Sequence, residues 1–587
     1  MNRNILITTI LIFQGIFIVP LHAQELNDSI ILKAMTDELN SNITDLKYKD
    51  YEDPFYISYT LSHIQNYFGL ASRGAVENSI LNTLRNSRVR VLVGSYELND
   101  ENFLDQSLTV NSNSIVMPVP VDDDYWGIRQ SFWSLTDGVY RTARMIYKNK
   151  LKLFEEDRLP EGFEPIPDFS REEVQVMDLR SDRGSLDKVE LDNKLRTYSS
   201  ILSEYSDIYK SGFTLEVNRT EHFFINSEGS SISCPVDLAT LSVTLIEQDD
   251  NYMPVINWMQ FYAREPEDLP GIQEMEDTVK SLADSLKKLT MVPVIQEQYY
   301  GPVLFMDEAA KDVLPVLINQ GSYMEAKRKN LIVDSQGNIY YGGGPGNTSP
   351  VMNQRIMPDN FNLKALSHIE NYEGTGLLGS FSVDAEGVVP PDEIILIRDG
   401  KLQNQLNGRT PTKEIPSSNG HRRFGAGYFS GSVAPGILEL EIKEGGLSIK
   451  ELKTELLKKA EEDGLQYAYI VRKMHFMNRI VPLLLYRVDV ETGNEKLVRV
   501  NSSFEFLDKS LRNISAVSGN RIVFNSVLGA NGGSDANTAR GLFTNGGYPV
   551  SYIFPDAYII DNVNLQSNFE PISIPGPVVP EPGSEED

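Results

Sequence analysis

The chain is poor in the residues that most often carry chemistry. Its 587 residues include one cysteine, Cys234, and six histidines. A lone cysteine excludes an intramolecular disulfide framework. His63, His222, His368, His421 and His475 are widely spaced, and nothing in their spacing points to a metal site. Positive charge is also scarce. Lys and Arg total 54 against 82 Asp and Glu, a net charge of −28. That balance opposes binding to nucleic acid or anionic lipid and supports solubility. Beyond Val19 no apolar run is long enough to span a bilayer. No Gly-x-Ser-x-Gly elbow accompanies a plausible Asp and His order.

What is present is globular in character. Hydrophobic residues make up 41% and charged residues 23%, and the length allows roughly two to four domains. The N-terminus carries Arg3, an apolar core from Ile5 to Val19, and Leu21-His22-Ala23 before Gln24. This reads as a secretory signal peptide, residues 1–23, cut after Ala23. The mature chain is therefore expected in the periplasm or outside the cell. No cysteine follows the apolar core, which argues against a lipoprotein. At the other end, residues 571–587 are Pro-rich and acidic and are expected to be disordered.

Between these ends the patterning alternates helices and strands. Residues 24–158 form the expected first domain. Ile30, Ile31, Ala34, Met35 and Leu39 have helical spacing, and Pro54–Leu61 alternates like a strand. Asn66–Leu70 and Arg88–Ser95 extend a sheet, with Arg88 and Arg90 on the face opposite Val89 and Val91. Asp122, Asp123 and Asp124 precede a long helix carrying Ile128, Phe132, Leu135, Val139 and Ala143. An N-cap explains these carboxylates as well as a hard-metal site does. Residues 159–170 are Pro-rich and acidic and read as a linker. A central domain, 171–300, holds a helix around Leu191–Leu202, a hairpin turning at Ser227-Glu228-Gly229, a strand at Asn257–Arg264 and a helix at Gly271–Leu289. Cys234 reads as a small buried residue.

The remainder, 301–570, is expected to be strand-rich. Pro302–Met306 is a short strand, Asp307 offers an N-cap, and Ala310, Val313, Leu314, Leu317 and Ile318 follow at helical spacing. Pro315 inside this helix predicts a kink at Leu314 or a restart, at a cost of about 3 kcal/mol. GGGPGN at 342–347 lacks the Lys-Ser/Thr of a phosphate loop and reads as a turn. Gly374–Gly379 matches G-x-G-x-x-G, but no buried strand precedes it, and the following SFSVDAEGV reads as a strand rather than a helix. It is not a nucleotide fingerprint. Gly446–Gly464 is a helix with Ser448 and Glu451 as a capping box and Gly464 as its stop. Strands follow at Tyr467–Met474 and Val481–Val490.

Several of these blocks resemble the TldD/PmbA family, the metallopeptidases once called modulators of DNA gyrase. They are the stretches 118–150 (PVPVDDDYWG…), 223–229 (FFINSEG), 301–323, 376–402, 408–423 (GRTPTKEIPSSNGHRR) and 510–526. The resemblance covers about residues 50–560. It implies an α+β fold with an N-terminal layered domain, a central segment and a strand-rich C-terminal domain. It also implies a subunit that pairs, with a zinc-bearing paralogue or with itself, around a cavity admitting unfolded peptide. In zinc-bearing members the helix reads roughly E-A-A-x-x-x-x-H-E-x-x-x-H. Laid on Glu308-Ala309-Ala310, the two His and the Glu fall on Pro315, Gln320 and Val316. The third ligand, a Cys in N-G-Y-C-G, falls on Leu528. Pro315, Val316 and Leu528 lack donors, and Gln320 is a weak neutral one. The resemblance therefore implies a zinc-free, non-catalytic subunit. The alternatives are an active metallopeptidase that binds zinc through substituted ligands, and a free-standing peptide-binding envelope protein. Arg409, Thr410, Asn419, His421 and Arg423, in the matched 408–423 loop, are the expected peptide-contacting residues.

Overall fold

The computed structural model describes residues 29–47, 52–108, 114–181, 183–250, 253–296, 298–320, 323–342, 351–427, 430–475, 480–500, 502–506, 510–529 and 546–567. The expected signal peptide, most of GGGPGN and the acidic tail lie outside these residues.

The N-terminal half is one sheet with helices on one face. It comprises helix α1 (Ile30–Asp45), strands β1 (Pro54–Ser72), β2 (Ala75–Val93) and β3 (Ser114–Pro118), helices α2 (Tyr125–Glu155) and α3 (Lys188–Ser200), strands β4 (Lys210–Asn226), β5 (Ser231–Gln248) and β6 (Pro254–Ala263), and helix α4 (Ile272–Thr290). The strand order is β3-β2-β1-β4-β5, with β6 also on β5. The segments read as separate short strands are single long ones: β1 and β2 pair antiparallel along almost their whole length. Asp124 caps α2 by accepting from the amide of Gly127 at 2.7 Å, so the acidic triplet does hold an N-cap.

The period of two in these strands explains the layering. Odd-numbered residues face the helices. Ile57, Tyr59, Leu61, Val89, Val91, Phe223 and Ile225 pack against α1 and α2. Tyr67, Phe213, Leu215, Leu241 and Val243 pack against α3 and α4. Even-numbered residues such as Ser58, Thr60, Ser62, Asn218, Thr220 and His222 are polar yet buried. They face the C-terminal half: the Thr220 hydroxyl accepts from the Gly427 amide at 2.8 Å.

The C-terminal half contains strand β7 (Tyr299–Met306), helix α5 (Glu308–Gln320), strands β8 (Phe361–Leu366), β9 (Glu393–Arg398) and β10 (Ile437–Ile442), helix α6 (Ile449–Glu462), and strands β11 (Tyr467–Met474), β12 (Pro482–Asp489), β13 (Arg521–Leu528), β14 (Gly546–Pro555) and β15 (Ala557–Ser567). One sheet runs β15-β7-β11-β12 at its centre, and the other runs β9-β8-β10-β14 with β13 on β14. β7 is apolar from Pro302 to Met306 because both its faces are covered there. Val303 and Phe305 share a core with α5, whereas Leu304 and Met306 share one with Leu452, Leu456 and Ala460 of α6. The capping box of Ser448 and Glu451 on α6 is formed. α5 neither stops nor restarts at Pro315 but continues through it to Gln320.

SFSVDAEGV is not a strand, contrary to its pattern. It is a buried loop turned around Asp384, whose carboxylate accepts from the amides of Glu386 and Val388, each at 2.9 Å, and of Arg422 at 3.1 Å. A side chain that supplies the local acceptors leaves no need for a ladder. Gly379, the last glycine of the G-x-G-x-x-G match, is there for packing. A Cβ on it would lie 2.0 Å from the Gly436 carbonyl oxygen and 2.8 Å from the Ser551 amide. Gly379→Ala should therefore lower unfolding stability by more than about 2 kcal/mol, measured by denaturant titration. A change within about 0.5 kcal/mol would contradict this contact.

Candidate functional site

A cleft with a volume of about 550 Å³ opens where the two halves meet. Its walls are two strands, β6 through Trp258–Tyr262 and β13 through Val523–Ser526, and its floor includes Glu308, Lys311 and Asp312 of α5 and Lys473 of β11. Among the described residues β6 pairs only with β5, and β13 only with β14, so each presents an edge. β13 lies against β6 at this point. An edge strand offers backbone donors and acceptors in a row, the arrangement that accepts an extended chain.

The floor is a small charged cluster. The Lys311 ammonium bonds Glu308 at 2.7 Å. The Lys473 ammonium is buried and donates to the Trp258 carbonyl. Burial lowers its pKa to about 8, although Glu308 and Asp312 favour its charged form. Asn525 anchors the neighbouring loop by accepting from the Leu378 amide at 3.1 Å and donating to the Gly376 carbonyl at 2.9 Å.

Three of the four positions that would hold zinc or the catalytic Glu in the resembling family are buried residues without donor atoms, Pro315, Val316 and Leu528. Leu528 is buried in the same core as Val313, Leu314, Leu317 and Ile318 of α5. Pro315 and Val316 are buried as well. A zinc ion needs imidazole, thiolate or carboxylate donors, and these residues do not fit it. Among the described residues, no group of three or more His, Cys, Asp or Glu is placed to hold a metal.

The 408–423 residues are brought together, but not at the cleft. None of the five is among its lining residues. Arg409 is 1% exposed. Its guanidinium grips Glu228 at 2.6 and 2.8 Å and donates to the Ser170 carbonyl at 3.1 and 2.5 Å. It stacks 4.0 Å over Phe169. The Arg409 amide donates to Glu386, which also pairs with Arg90. Burial opposes the Glu386 charge, but Arg422 and Arg90 hold its pKa down at about 2. Burial and the Glu386 charge push Asp384 up to about 8. Arg423, also buried, donates to the carbonyls of Pro435 and Pro549 at 2.6 and 2.7 Å. Asn419 exchanges bonds with Asn407 at 2.9 Å each way. His421 donates from Nδ1 to the Asn419 carbonyl at 2.7 Å. Thr410 is half-buried beside them. Burial leaves Arg409, His421 and Arg423 little surface for a ligand.

The segment 159–170 is more than a spacer, since Asp168 and Phe169 are buried. Sequence reasoning passed over Trp258–Tyr262, Lys473 and Asn525. One signal was available: a lysine, Lys473, just after the apolar run YAYIV, where only a specific partner keeps it buried.

Comparison with solved structures defines the fold. The chain has the fold of the TldD/PmbA proteins, α+β throughout, as the motifs implied. A Thermotoga maritima protein described as a modulator of a DNA gyrase matches 92% of this chain and 100% of its own, with a TM-score of 0.52 and 13% identity. TldE of Thermococcus kodakarensis matches 91% of this chain and 100% of its own, with a TM-score of 0.52 and 12% identity. A Bacteroides thetaiotaomicron protein, also described as a modulator of DNA gyrase, matches 91% and 98%, with a TM-score of 0.51 and 11% identity. At such identities the likeness establishes the fold alone. No protein-family model matches the sequence, and no curated protein does.

The two most buried histidines give a pH signature. His222 bonds Ser62 through Nδ1 and the Gly425 carbonyl through Nε2, each at 2.8 Å. Burial lowers the pKa of both His222 and His421 to about 4, against about 6.5 in an unfolded chain. Between those values the unfolded state binds protons that the folded state does not. Stability should therefore fall as pH drops from about 6.5 toward 4, then level off for these groups. Denaturant titrations across that range check this. His222→Gln should reduce the slope near pH 5.5 by about 1.4 kcal/mol per pH unit, and an unchanged slope would contradict it.

Proposed function

We propose that this chain is an exported, zinc-free relative of the TldD/PmbA peptidases that holds an extended peptide for a zinc-bearing partner to cut. The observation carrying this reading is the cleft itself. Two strand edges flank it, α5 floors it, and the positions matched to zinc ligands and catalytic Glu lack the donors for metal or base chemistry. Backbone pairing along a strand edge is indifferent to sequence, which suits a protein handling unfolded chains. Export is supported by the apolar Ile5–Val19 segment and Ala23. No helix among the described residues is long and apolar enough to cross a membrane. The partner is proposed as a related chain carrying the His-Glu and Cys motifs, because the matched positions here carry Pro315, Val316, Gln320 and Leu528.

A photo-crosslinking peptide of extended, unfolded character tests the reading. Crosslinks are expected on 258–262 and 523–526, and Ser526→Trp should cut their yield about tenfold by filling the cleft. Crosslinks confined to other surfaces, or a yield unaffected by Ser526→Trp, would overturn it.

A further inference from the structure

The charge lining the cleft is uneven. Four carboxylates, Asp268, Glu274, Glu308 and Asp312, face two ammonium groups, Lys311 and Lys473. The floor is balanced. Lys311 bonds Glu308 at 2.7 Å, and the buried Lys473 donates to the Trp258 carbonyl while the charges of Glu308 and Asp312 act on it. The imbalance lies at the β6 and α4 side. Asp268 ends the short turn Pro266–Asp268 that follows β6, and Glu274 stands in the first turn of α4. Both are exposed. Neither side chain makes a hydrogen bond or ion pair with another described residue.

The flanking residues do not reverse this sign. Arg264, just beyond β6, is not among the lining residues, and its guanidinium donates to the carbonyls of Leu377 at 3.3 Å and Ser380 at 3.5 Å. Lys280 lies further along α4, and the exposed Glu267, Glu276 and Asp277 outnumber these two cations. The net charge of the whole chain, −28, has the same sign and attracts cations over a longer range. Acidity alone would make no site, but here it borders a cavity with two strand edges. The same cavity carries an aromatic wall of Trp258, Phe261, Tyr262 and Phe524.

These features divide the work of binding a chain. A strand edge takes the backbone of an extended segment. An aromatic wall takes the aliphatic stem of a long side chain, or its cationic head. Carboxylates without partners take the charge at its end. We propose that the cleft selects cationic chains, holding an extended peptide so that one of its Lys or Arg side chains reaches Asp268 and Glu274. The inference rests on the reading of the cleft as a peptide site and adds its specificity. Lys311 and Lys473 at the floor repel a second cation there, which places the selected side chain at the β6 and α4 side.

The probes are three acetylated, amidated peptides of the form Thr-Val-Thr-X-Thr-Val-Thr, with X as Lys, Gln or Glu, titrated calorimetrically into the whole mature chain at low salt. The Lys peptide is expected to bind about fivefold more tightly than the Gln peptide, and about tenfold or more above the Glu peptide. About 1 M salt should close most of that gap. Asp268→Asn combined with Glu274→Gln, both exposed and nearly isosteric changes, should bring the Lys peptide to the affinity of the Gln peptide. Equal affinities for the three peptides, or a Lys preference that survives the double substitution, would overturn this inference and leave the cleft as a peptide site. No binding of any of the three would overturn the reading of the cleft, and this inference with it.

Discussion

The buried Arg409 guanidinium joins the parts of the chain on which the cleft depends. The sheet of β1, β2, β4 and β5 has a polar face that is nevertheless buried. A polar surface can be covered only if its groups find partners. Arg409 supplies several at once: two carboxylate bonds to Glu228 at the β4–β5 turn and two to the Ser170 carbonyl. Removing it would leave Glu228 without its main counter-charge, and breaking a buried pair costs about 3–5 kcal/mol. His222, Thr220, Arg90 and Glu386 extend the same seam. With that seam in place, β6 and β13 come together and the cleft exists between them.

The cleft and the apolar core of α5 have different roles. The helix presents Glu308, Lys311 and Asp312 to the cleft and Val313, Leu314, Leu317 and Ile318 to the core. Leu528 closes the same core from β13. Where the resembling family would place an imidazole and a thiolate, this chain places Pro315 and Leu528. The change is coherent physically, because an apolar core tolerates no isolated donor. On the proposed reading, the chain binds and orients a peptide, and a partner activates the water.

Much of the fold could be read from the chain because period and punctuation agreed. The capping box at Ser448 and Glu451, the N-cap at Asp124 and the two-faced burial of β7 all follow from local rules. The SFSVDAEGV stretch misled because its alternation imitates a strand, while Asp384 holds it as a loop by side-chain bonds that no periodicity reports. The 408–423 loop misled differently. Arg, Asn and His in a matched motif suggest contact with a ligand, yet their partners, Glu228, Ser170 and Asn407, lie elsewhere in the sequence or are contributed by backbone. The cleft was illegible for a related reason. It is made of strand edges, and which strand ends a sheet is a property of topology, not of any one segment.

The account rests on α5 and β13 carrying no imidazole, thiolate or carboxylate at the positions matched to zinc ligands, Pro315, Gln320 and Leu528. Zinc content of the mature chain, purified without a metal-binding tag and dialysed against a weak chelator, tests this most directly. The account predicts far less than one zinc per chain. About one tightly held zinc per chain would contradict it, and would mean that other residues have rebuilt a metal site.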